Sequence, residues 1–376
     1  MRFVLALIAA LAAGSAATAA DSIYPSSAGN LSVQTVAGGL VHPWSLAFLP
    51  DGRMLVTERP GRMRIVAPNG RVSPPLGNVP KVFAATQGGL LDVILDRDFA
   101  RNQTIYFSFA EPFNGGGRTS LARARLDDGE VPRLADVKVI YRQHGPPSKG
   151  YHFGSRIVQA NDGTLFVTNG EHFIDRDLAQ TFDNDLGKIV RITTEGDAPP
   201  DNPFVNKPGA RPEIWSYGHR NPQGLAINPA DGKLWEQEHG AMGGDEINVI
   251  AKSHNYGWPL VSYGKNYDGS PVGTGKARME GVDDPRWHWT PSIAPSGLTF
   301  YTGDLFPGWK GSLFNGALKS QLLSRLELKG DTVVKEERLL QGLRERLRDV
   351  RQGPDGALYL LTDSDSGRIL RVAPAR

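Results

Sequence analysis

One stretch of the sequence, residues 217–246, concentrates side chains that could take part in chemistry. It begins with an imidazole, a guanidinium and two amides, at His219, Arg220, Asn221 and Gln223, and it ends with a Gly-rich acidic segment. Between these groups, two short apolar alternations flank an Asp-Gly pair, which predicts a β-hairpin. The polar groups would then lie at the open ends of two strands, where a rigid β scaffold often presents functional residues. A hairpin with an ordinary solvated rim is the alternative.

The same local pattern recurs along the chain. Each unit has an apolar strand, a turn that is usually Asp-Gly, and a second strand that ends in a polar residue. Repeated strand-turn-strand units of this size are typical of propeller blades, so we expect an all-β fold, a six-bladed β-propeller. A pair of β-sandwiches would not explain the repeated position of the Asp-Gly pair. The six units are residues 43–66, 88–111, 154–171, 221–239, 295–328 and 348–372.

Polar residues that begin or end the inner strands of a propeller should converge at one end of its central channel. The candidates that share this position are Gln87, His152, Arg220, Asn221, Lys319, Arg346 and Arg348. This set has cations, an imidazole and amides but no carboxylate. We therefore expect it to bind a polyanion through charge-assisted hydrogen bonds. Taken alone, the basic run at residues 344–348 would be an ordinary solvated surface segment.

The start of the chain is typical of a secretory signal peptide. Residues 1–20 contain Arg2, then an apolar core, then small residues. The apolar run is shorter than the ~20 residues that span a bilayer, and no later segment is long and apolar enough to do so. We therefore expect residues 21–376 to form a single propeller domain, without a membrane span, that is periplasmic or secreted.

Composition excludes some partners. The chain has no cysteine, so an exported form would have no disulfides and would depend on its core for stability. The 42 basic and 40 acidic residues nearly balance, which argues against a nucleic acid or an anionic membrane as partner. Two long segments, residues 196–211 and 264–287, are rich in turn-forming residues. We expect both to be loops that shape a functional cleft.

A family resemblance rests on eight motifs that follow one another over nearly all of the chain after the signal peptide. They are QGGLLD (87–92), HFGSR (152–156), GHRNPQG (218–224), GGDEIN (243–248), NYGWP (255–259), APSG (294–297), GALK (316–319) and RLRD (346–349). With these motifs the chain resembles the soluble aldose sugar dehydrogenases of the glucose/sorbosone dehydrogenase family, which use pyrroloquinoline quinone (PQQ). The family fold is a six-bladed propeller, in agreement with the repeat count.

The resemblance implies a role for each channel residue. His152 would be the general base that takes the proton of the sugar C1 hydroxyl while hydride passes to the quinone. Arg220 would stabilise charge on the quinone oxygens. The other residues would bind or orient PQQ, a tricarboxylate whose own chemistry carries the electrons. These cofactor-binding residues are Gln87, Asn221, Ser292, Lys319, Arg346 and Arg348.

Calcium is implied in the same way. In the family a Ca²⁺ ion bridges backbone carbonyls and the cofactor, and the matching carbonyls are those of Gly240 and Ala241. A second, structural Ca²⁺ would take Glu246 and the carbonyl of Tyr256, with its remaining ligands unidentified. The chain contains no haem-attachment motif, so electrons would leave to a separate acceptor.

The chain also departs from its relatives at some positions. Tyr151 precedes the predicted base where relatives carry Asp or Asn, and a tyrosine cannot orient a histidine as an acidic neighbour would. Ser292 and Thr290 replace a threonine and a bulky aromatic residue found in some relatives. These differences leave the identity of the aldose open. Two other functions stay open as well: a calcium-dependent propeller hydrolase such as a lactonase, and a non-enzymatic sugar-binding propeller.

Overall fold

The computed structural model describes residues 22–375 and confirms a six-bladed β-propeller. The chain enters through β1 (Ser22–Tyr24) and β2 (Leu31–Leu40), and the predicted signal peptide lies outside the described residues. Blade 1 contains β3 (Pro43–Phe48), β4 (Met54–Glu58) and β5 (Arg62–Val66). Blade 2 contains β6 (Leu90–Leu95), β7 (Thr104–Phe113), β8 (Gly116–Asp127) and β9 (Arg133–Arg142). Blade 3 contains β10 (Gly154–Gln159), β11 (Leu165–Asn169), β12 (Lys188–Ile192) and β13 (Ile214–Tyr217).

The second half of the chain repeats this arrangement. Blade 4 contains β14 (Pro222–Ile227), β15 (Leu234–Glu238), β16 (Asp245–Ile250) and β17 (Trp287–Trp289). Blade 5 contains β18 (Pro295–Phe300), β19 (Leu313–Ala317), β20 (Leu322–Lys329) and β21 (Thr332–Leu339). Blade 6 contains β22 (Leu347–Gln352), β23 (Leu358–Thr362) and β24 (Gly367–Pro374). Strand β2 pairs with β24, so the beginning and the end of the chain share one sheet and close the ring.

The repeated Asp-Gly pair has a local physical cause. In blade 3, Asp162 accepts hydrogen bonds from the backbone N–H and the hydroxyl of Thr164, at 2.9 and 2.7 Å. Gly163 follows with φ of +86°, a conformation that L-residues rarely adopt. Asp51, Asp231 and Asp355 accept from the N–H two residues on in the same way. The carboxylate and the glycine together fix the turn and therefore the register of each hairpin.

Each inner strand also carries a register irregularity near its first residues. These irregularities lie at Pro43/Ser45, Leu90/Val93, Gly154/Ile157, Pro222/Gly224, Ser296/Leu298 and Leu347/Asp349. Bulges twist a strand locally and re-aim its side chains. The six inner strands therefore turn their first residues toward a common axis.

A buried ion network holds the inner strands together below this end. Arg156 contacts Asp92 at 3.1 Å and Asp349 at 3.0 Å, and Arg351 reaches the same two carboxylates at 2.9 Å each. Asp92 comes from blade 2, Arg156 from blade 3, and Asp349 and Arg351 from blade 6, so the pairs link these three blades. Both carboxylates are almost fully buried, and removal of one partner would leave an uncompensated buried charge.

The two long segments differ in position. Residues 264–287 lead into β17, and Asn266, Tyr267 and Asp268 line a cleft at the channel end, as expected. Residues 196–211 join the end of β12 to the start of β13, which is the opposite end of the blade because antiparallel strands alternate in direction. From there the segment runs back along the blade, and Phe204 packs on Phe182 in the β11–β12 connection and on Tyr217 at the end of β13. Residues 196–211 line neither the central cavity nor the cleft beside it, so the expectation that this segment shapes the cleft stays a prediction.

The helices are few and short. They are α1 (Phe99–Asn102) and the 3₁₀ turns Arg176–Gln180, Pro307–Trp309 and Gln341–Leu343. Within the described part of the chain, none has the length and apolar character that crossing a membrane requires.

Candidate active site

A cavity of about 240 Å³ lies where the inner strands begin. Four of the predicted cofactor-binding residues line it: Gln87, Asn221, Arg346 and Arg348. Trp44, Gln223, His239 and Ala294 complete much of its wall. The structure therefore brings together side chains from Trp44 to Arg348, about 300 positions apart in the sequence, as the blade repeats predict.

Two arginines supply most of the positive charge in this cavity. Arg348 donates to Gln223 Oε1 at 2.9 Å and pairs with Asp363 at 3.1 Å, while its Nε is buried without a hydrogen-bond partner. Arg346 is exposed and lies 3.5 Å from the same carboxylate. Burial tends to raise the pKa of Asp363, but Arg348, His42 and Arg346 outweigh it and hold that pKa well below its usual range. Asp363 therefore remains ionised beside the arginines.

The expectation of a channel set without carboxylates was wrong. Asp363 follows β23 and lies between the two arginines, and Glu171 lies beside Arg220 and His152. Both acidic residues come just after the second strand of a blade, two positions or fewer from its end. They lie at the channel end for the same reason as the predicted residues. The polar residues that end the second strand of each repeat unit are the sequence feature that could have identified them.

His152 is held on both sides. Its backbone N–H donates to Gln87 Oε1 at 2.8 Å, and its Nδ1 lies 3.0 Å from Glu171 Oε1. Its φ of +51° is uncommon for a residue with a side chain and is the kind of strain that clusters at functional sites. Burial, followed by the charge of Arg220, lowers the pKa of His152 well below its usual value. The imidazole is therefore neutral. Its Nδ1 faces Glu171, and its Nε2 is free to accept a proton.

Gly170 makes this arrangement possible. A Cβ at this position would lie 1.9 Å from the carbonyl oxygen of His152, which is far inside van der Waals contact. The glycine allows the chain to pass directly beside His152 before it reaches Glu171. Burial raises the pKa of Glu171 to about 7, against the opposing charge of Arg220.

Arg220 is almost fully buried and lies between the cleft beside Glu171 and a small gap beside Glu246. Its Nη1 donates to the carbonyl of Gly240 at 2.5 Å, its guanidinium lies 5.0 Å from the centre of the Trp258 ring, and its Nε lies 4.0 Å from Glu171. The Nε has no hydrogen-bond partner. A buried guanidinium with an unpaired N–H is suited to an anionic or strongly polar ligand atom.

The amide groups on the cavity wall are fixed by their neighbours. Asn221 Oδ1 accepts from the Gly154 N–H at 3.1 Å and from Gln223 Nε2 at 3.3 Å. The Asn221 amide nitrogen is thereby left to face away from both donors. Gln87 is exposed on the cavity side while its oxygen receives the His152 N–H.

Two predicted cofactor residues do not line the cavity. Leu318 does, whereas Lys319 is exposed and its backbone N–H donates to the Ile293 carbonyl at 3.1 Å. Both residues lie in the turn after β19, and the turn places Leu318 on the cavity face. Ser292 donates its hydroxyl to Asp245 at 3.0 Å instead of facing the cavity.

The predicted carbonyl ligands of calcium lie at the junction of two spaces. Ala241 lines the cleft that also contains Glu171 and Arg220, and Gly240 lies beside a small gap with Glu246 and Tyr256. The Gly240 carbonyl already accepts from Arg220. A carbonyl has a second lone pair, so a cation could share this oxygen only next to a guanidinium.

The second predicted metal position has a richer donor set than the sequence analysis identified. Glu246 faces Glu238 in the β15–β16 ladder, and the Asn248 amide bridges Glu236 and Glu246 at 3.2 and 3.3 Å. One oxygen of Glu236 and the Asn248 oxygen are buried without a partner. Burial first, and then the charge of Glu238, raises the pKa of both Glu236 and Glu246 well above the usual value. Such unpaired buried oxygens fit a hard cation.

The sequence pattern indicates two of these additional donors. Glu236 and Glu238 lie two positions apart on β15, so their side chains point to the same face of the predicted hairpin. His219 and these two glutamates bring their ligand atoms within 4.8 Å of one another. Tyr256 stacks on the His219 ring at 4.8 Å, which places the loop after β16 against this donor set.

Comparisons with known proteins agree with this architecture. A family model described as glucose/sorbosone dehydrogenase matches residues 40–371. The chain is 45% identical over 347 residues to an aldose sugar dehydrogenase of Escherichia coli (strain K12), which covers 92% of this chain and 93% of the relative.

Solved structures give the same result. The soluble aldose sugar dehydrogenase from Escherichia coli in its apo-form has a TM-score of 0.89 at 44% identity, with 92% of this chain and 100% of that chain covered. The PQQ-bound form of an aldose sugar dehydrogenase from Streptomyces coelicolor has a TM-score of 0.76 at 32% identity, with 91% and 98% covered. The resemblance inferred from the eight motifs is confirmed, and the chain belongs to the glucose/sorbosone dehydrogenase family.

Proposed function

We propose that this protein oxidises the C1 hydroxyl of aldose sugars to lactones, with PQQ as its bound redox cofactor. The observation that carries the proposal is the buried His152–Glu171 pair beside two arginines, Arg220 and the cavity residue Arg348, each with a buried Nε that has no hydrogen-bond partner. The relatives named as aldose sugar dehydrogenases, one of them in a PQQ-bound form, support the same reaction class.

The residues present fit a tricarboxylate cofactor. Arg346 and Arg348 line the cavity, and the buried Nε of Arg348 lacks a hydrogen-bond partner. A carboxylate would complete that hydrogen-bonding capacity with a charge-assisted bond. Gln87 and Asn221 offer amide groups on the same wall. PQQ, when bound, supplies the two-electron acceptor for the hydride of the sugar.

In this proposal His152 holds the proton that leaves the sugar hydroxyl. Glu171 accepts the Nδ1–H hydrogen bond, which leaves the lone pair of Nε2 free to receive that proton. Arg220 keeps a positive charge beside the reacting groups, where it would stabilise developing negative charge in a water-poor site. Trp258 and Gly240 hold the guanidinium in place.

We also propose two roles for calcium. One Ca²⁺ would use the carbonyls of Gly240 and Ala241 at the cofactor site and act as a Lewis acid. A second would use Glu246, the Tyr256 carbonyl and the neighbouring buried donors Glu236, Glu238 and Asn248, and it would stabilise blade 4. A signal peptide at residues 1–20 would direct the protein to the periplasm or outside the cell. There, a separate acceptor would take the electrons from the protein.

Product analysis tests the reaction. Purified protein is mixed with PQQ, Ca²⁺, glucose labelled at C1 and an artificial electron acceptor, and the C1 signal is followed by NMR. We expect lactone and its hydrolysis product to appear in step with reduction of the acceptor. Cleavage of an added lactone without PQQ would indicate a hydrolase instead, and sugar binding without any conversion would indicate a binding protein.

A further inference from the structure

Three side chains that could bind a metal ion meet where blade 2 adjoins blade 3, outside the candidate active site. His144 follows β9 of blade 2, while Asp185 and Glu213 precede β12 and β13 of blade 3. Their ligand atoms all lie within 4.8 Å of one another. None of these three residues lines the cavity or the cleft beside Glu171. The cluster is therefore separate from the groups to which the proposed reaction assigns a role.

The spacing of these atoms fits metal coordination. His144 Nδ1 lies 3.1 Å from Asp185 Oδ2 and 3.5 Å from Glu213 Oε1. Ligand atoms that lie about 2.0–2.2 Å from a tetrahedral Zn²⁺ ion are roughly 3.3–3.6 Å apart from one another. Small movements of these side chains would therefore bring the three atoms around one ion. The His144 side chain is 49% exposed, so an ion and a water ligand could enter from its open side.

The Asp185 carboxylate has more acceptor capacity than its neighbours use. Its side chain is fully buried and faces the cluster through Oδ2, which also accepts the His144 backbone N–H at 2.9 Å. Its Oδ1 is buried and has no hydrogen-bond partner. Among the described residues, His144 is the one basic side chain within ion-pair distance of this carboxylate. Buried carboxylates are normally paired and hydrogen-bonded, and a bound cation would meet both requirements.

Arg211 compensates the charge of the other carboxylate. Its Nε and Nη2 donate to Glu213 Oε1 at 3.0 and 2.8 Å, and Nη2 lies 3.2 Å from His144 Nε2. The charge of Asp185 is left for a proton on His144 or for a metal ion. In metal-free protein the proton takes this place, and a bound ion would displace it. Nε2 would then carry the ring proton, so Arg211 Nη2 would turn away from it and keep its contact with Glu213.

The cluster joins two connections of the chain. His144 lies at the start of the connection that leads from β9 to His152, and Asp185 lies near the end of the connection that contains Glu171. The Asp185 N–H donates to the His144 carbonyl at 3.0 Å, so the two connections already touch at this point. An ion bound by side chains from both would strengthen the contact between blade 2 and blade 3.

We propose that His144, Asp185 and Glu213 form a binding site for a divalent transition-metal ion, with Zn²⁺ as the best match. An imidazole among the donors favours Zn²⁺ over Ca²⁺ and Mg²⁺, which prefer oxygen ligands throughout. The ion would stabilise the fold and would be additional to both proposed Ca²⁺ ions. This proposal does not depend on the sugar reaction.

Zinc titration of tag-free protein, treated first with a chelator, tests the proposal. Calorimetry and thermal unfolding are measured with ZnCl₂ in buffer that contains excess Ca²⁺, so that sites made of oxygen donors are already filled. Wild-type protein should bind Zn²⁺ and should unfold at a higher temperature with it. His144→Gln should bind Zn²⁺ at least about tenfold more weakly, because loss even of a group that only orients a metal ligand costs about 10- to 100-fold in affinity.

His254→Gln is the matched control. The His254 side chain is also 49% exposed and places Nδ1 2.8 Å from a carboxylate, that of Asp283, which is its one ion-pair partner among the described residues. This variant should keep the Zn²⁺ affinity of the wild type, whereas Glu213→Gln should lose affinity as His144→Gln does. Absence of Zn²⁺ binding by the wild type, unchanged affinity in both cluster variants, or an equal loss in His254→Gln would overturn the proposal.

Discussion

His152 Nδ1 lies 3.0 Å from Glu171 Oε1, and both side chains are buried. A neutral imidazole carries one proton, and a carboxylate on Nδ1 keeps that proton away from Nε2. Tyr151, in place of the Asp or Asn of relatives, cannot supply an acidic partner to the histidine. Glu171 supplies it instead, from just after β11 and 19 positions further along the chain.

Replacement of either member of this pair should slow the reaction. Glu171→Gln would present an amide N–H to Nδ1, and the imidazole proton would move to Nε2, where it blocks proton acceptance. We expect Glu171→Gln and His152→Gln each to lose roughly 10²- to 10⁴-fold in turnover, while PQQ affinity changes little. Turnover at saturating PQQ and a PQQ titration measure the two effects. A smaller loss for the control Glu171→Asp would support a positioning role, and near wild-type turnover of Glu171→Gln would contradict it.

The same pair predicts a pH dependence. Burial raises the pKa of Glu171 to about 7, so the carboxyl becomes protonated as pH falls through that value. Protonated Glu171 would donate to Nδ1 and force the imidazole proton onto Nε2. We therefore expect turnover to decline as pH drops from about 8 to about 6, at saturating PQQ and sugar. A profile that stays flat over this interval would contradict the assignment.

The cavity arginines should act on binding and not on the plateau rate. A cation that meets a carboxylate equally well before and during reaction contributes uniform binding. We expect Arg348→Ala to weaken PQQ binding about 10- to 100-fold, since one charge-assisted bond is worth roughly 1.5–3 kcal/mol. Lys319→Ala should have a smaller effect because Lys319 is exposed and does not line the cavity.

Arg220→Ala provides the contrast. In the proposed reaction Arg220 would face the quinone oxygens, where negative charge develops. Turnover of Arg220→Ala should therefore fall even when PQQ saturates the site. The measurement is the half-saturating PQQ concentration beside the plateau rate for all three variants at fixed Ca²⁺. Equal plateau losses with unchanged half-saturation would show that the roles are wrongly assigned.

Calcium should stabilise the fold through blade 4. The carboxylates of the buried Glu236 and Glu238 and of the partly buried Glu246 repel one another unless a proton or a cation lies among them. We expect Ca²⁺ to raise Tm of the wild type and to raise it less for Glu246→Gln. Glu327→Gln, at a glutamate whose side chain is 48% exposed, is the matched control and should keep the full increase. An identical Ca²⁺-dependent increase in both variants would exclude Glu246 as a ligand.

A separate histidine predicts how stability depends on pH. Hydrogen bonds to Asp185 and Glu213 raise the pKa of His144 from 6.5 to about 9. A raised pKa means that the protonated imidazole stabilises the folded state, fully below about pH 6.5, and that this contribution is lost as pH rises toward 9. The side chain is 49% exposed, so we expect His144→Gln to cost no more than about 1 kcal/mol. The cost should be present near pH 6 and absent near pH 9.5 in urea unfolding; equal costs at both pH values would contradict this.

Local patterns explain what the sequence could predict. Asp-Gly turns fix four of the hairpins, and two looser copies of the same unit bring the count to six, which implies six blades. Residues at the first positions of inner strands then meet at one axis, which correctly placed Gln87, Asn221, Arg346 and Arg348 around one cavity. The same reasoning placed Lys319 there, but Lys319 lies exposed in the turn after β19 and does not line this cavity.

Contacts between distant residues were not predictable in the same way. The Glu171–His152 contact depends on the positive φ of His152 and on the absence of a side chain at Gly170, and neither follows from hydrophobic periodicity. Asp363 meets the arginines through the register of β22 and β23, in which Leu347 pairs with Thr362 and the Asp363 N–H donates to the Arg346 carbonyl at 2.8 Å. The four-residue oxygen cluster of blade 4 likewise depends on the β15–β16 register, which the hairpin prediction did not extend to Asn248.

Reconstitution of activity is the most direct test of whether PQQ is the redox cofactor of this protein. Protein stripped of metal and cofactor is titrated with PQQ at excess Ca²⁺, and glucose-dependent reduction of an artificial acceptor is measured at each step. We expect no activity without PQQ, and a rate that rises with added PQQ and saturates near one PQQ molecule per chain. Full activity with a chelator and without PQQ, or no activity at saturating PQQ and Ca²⁺ with any aldose, would contradict it.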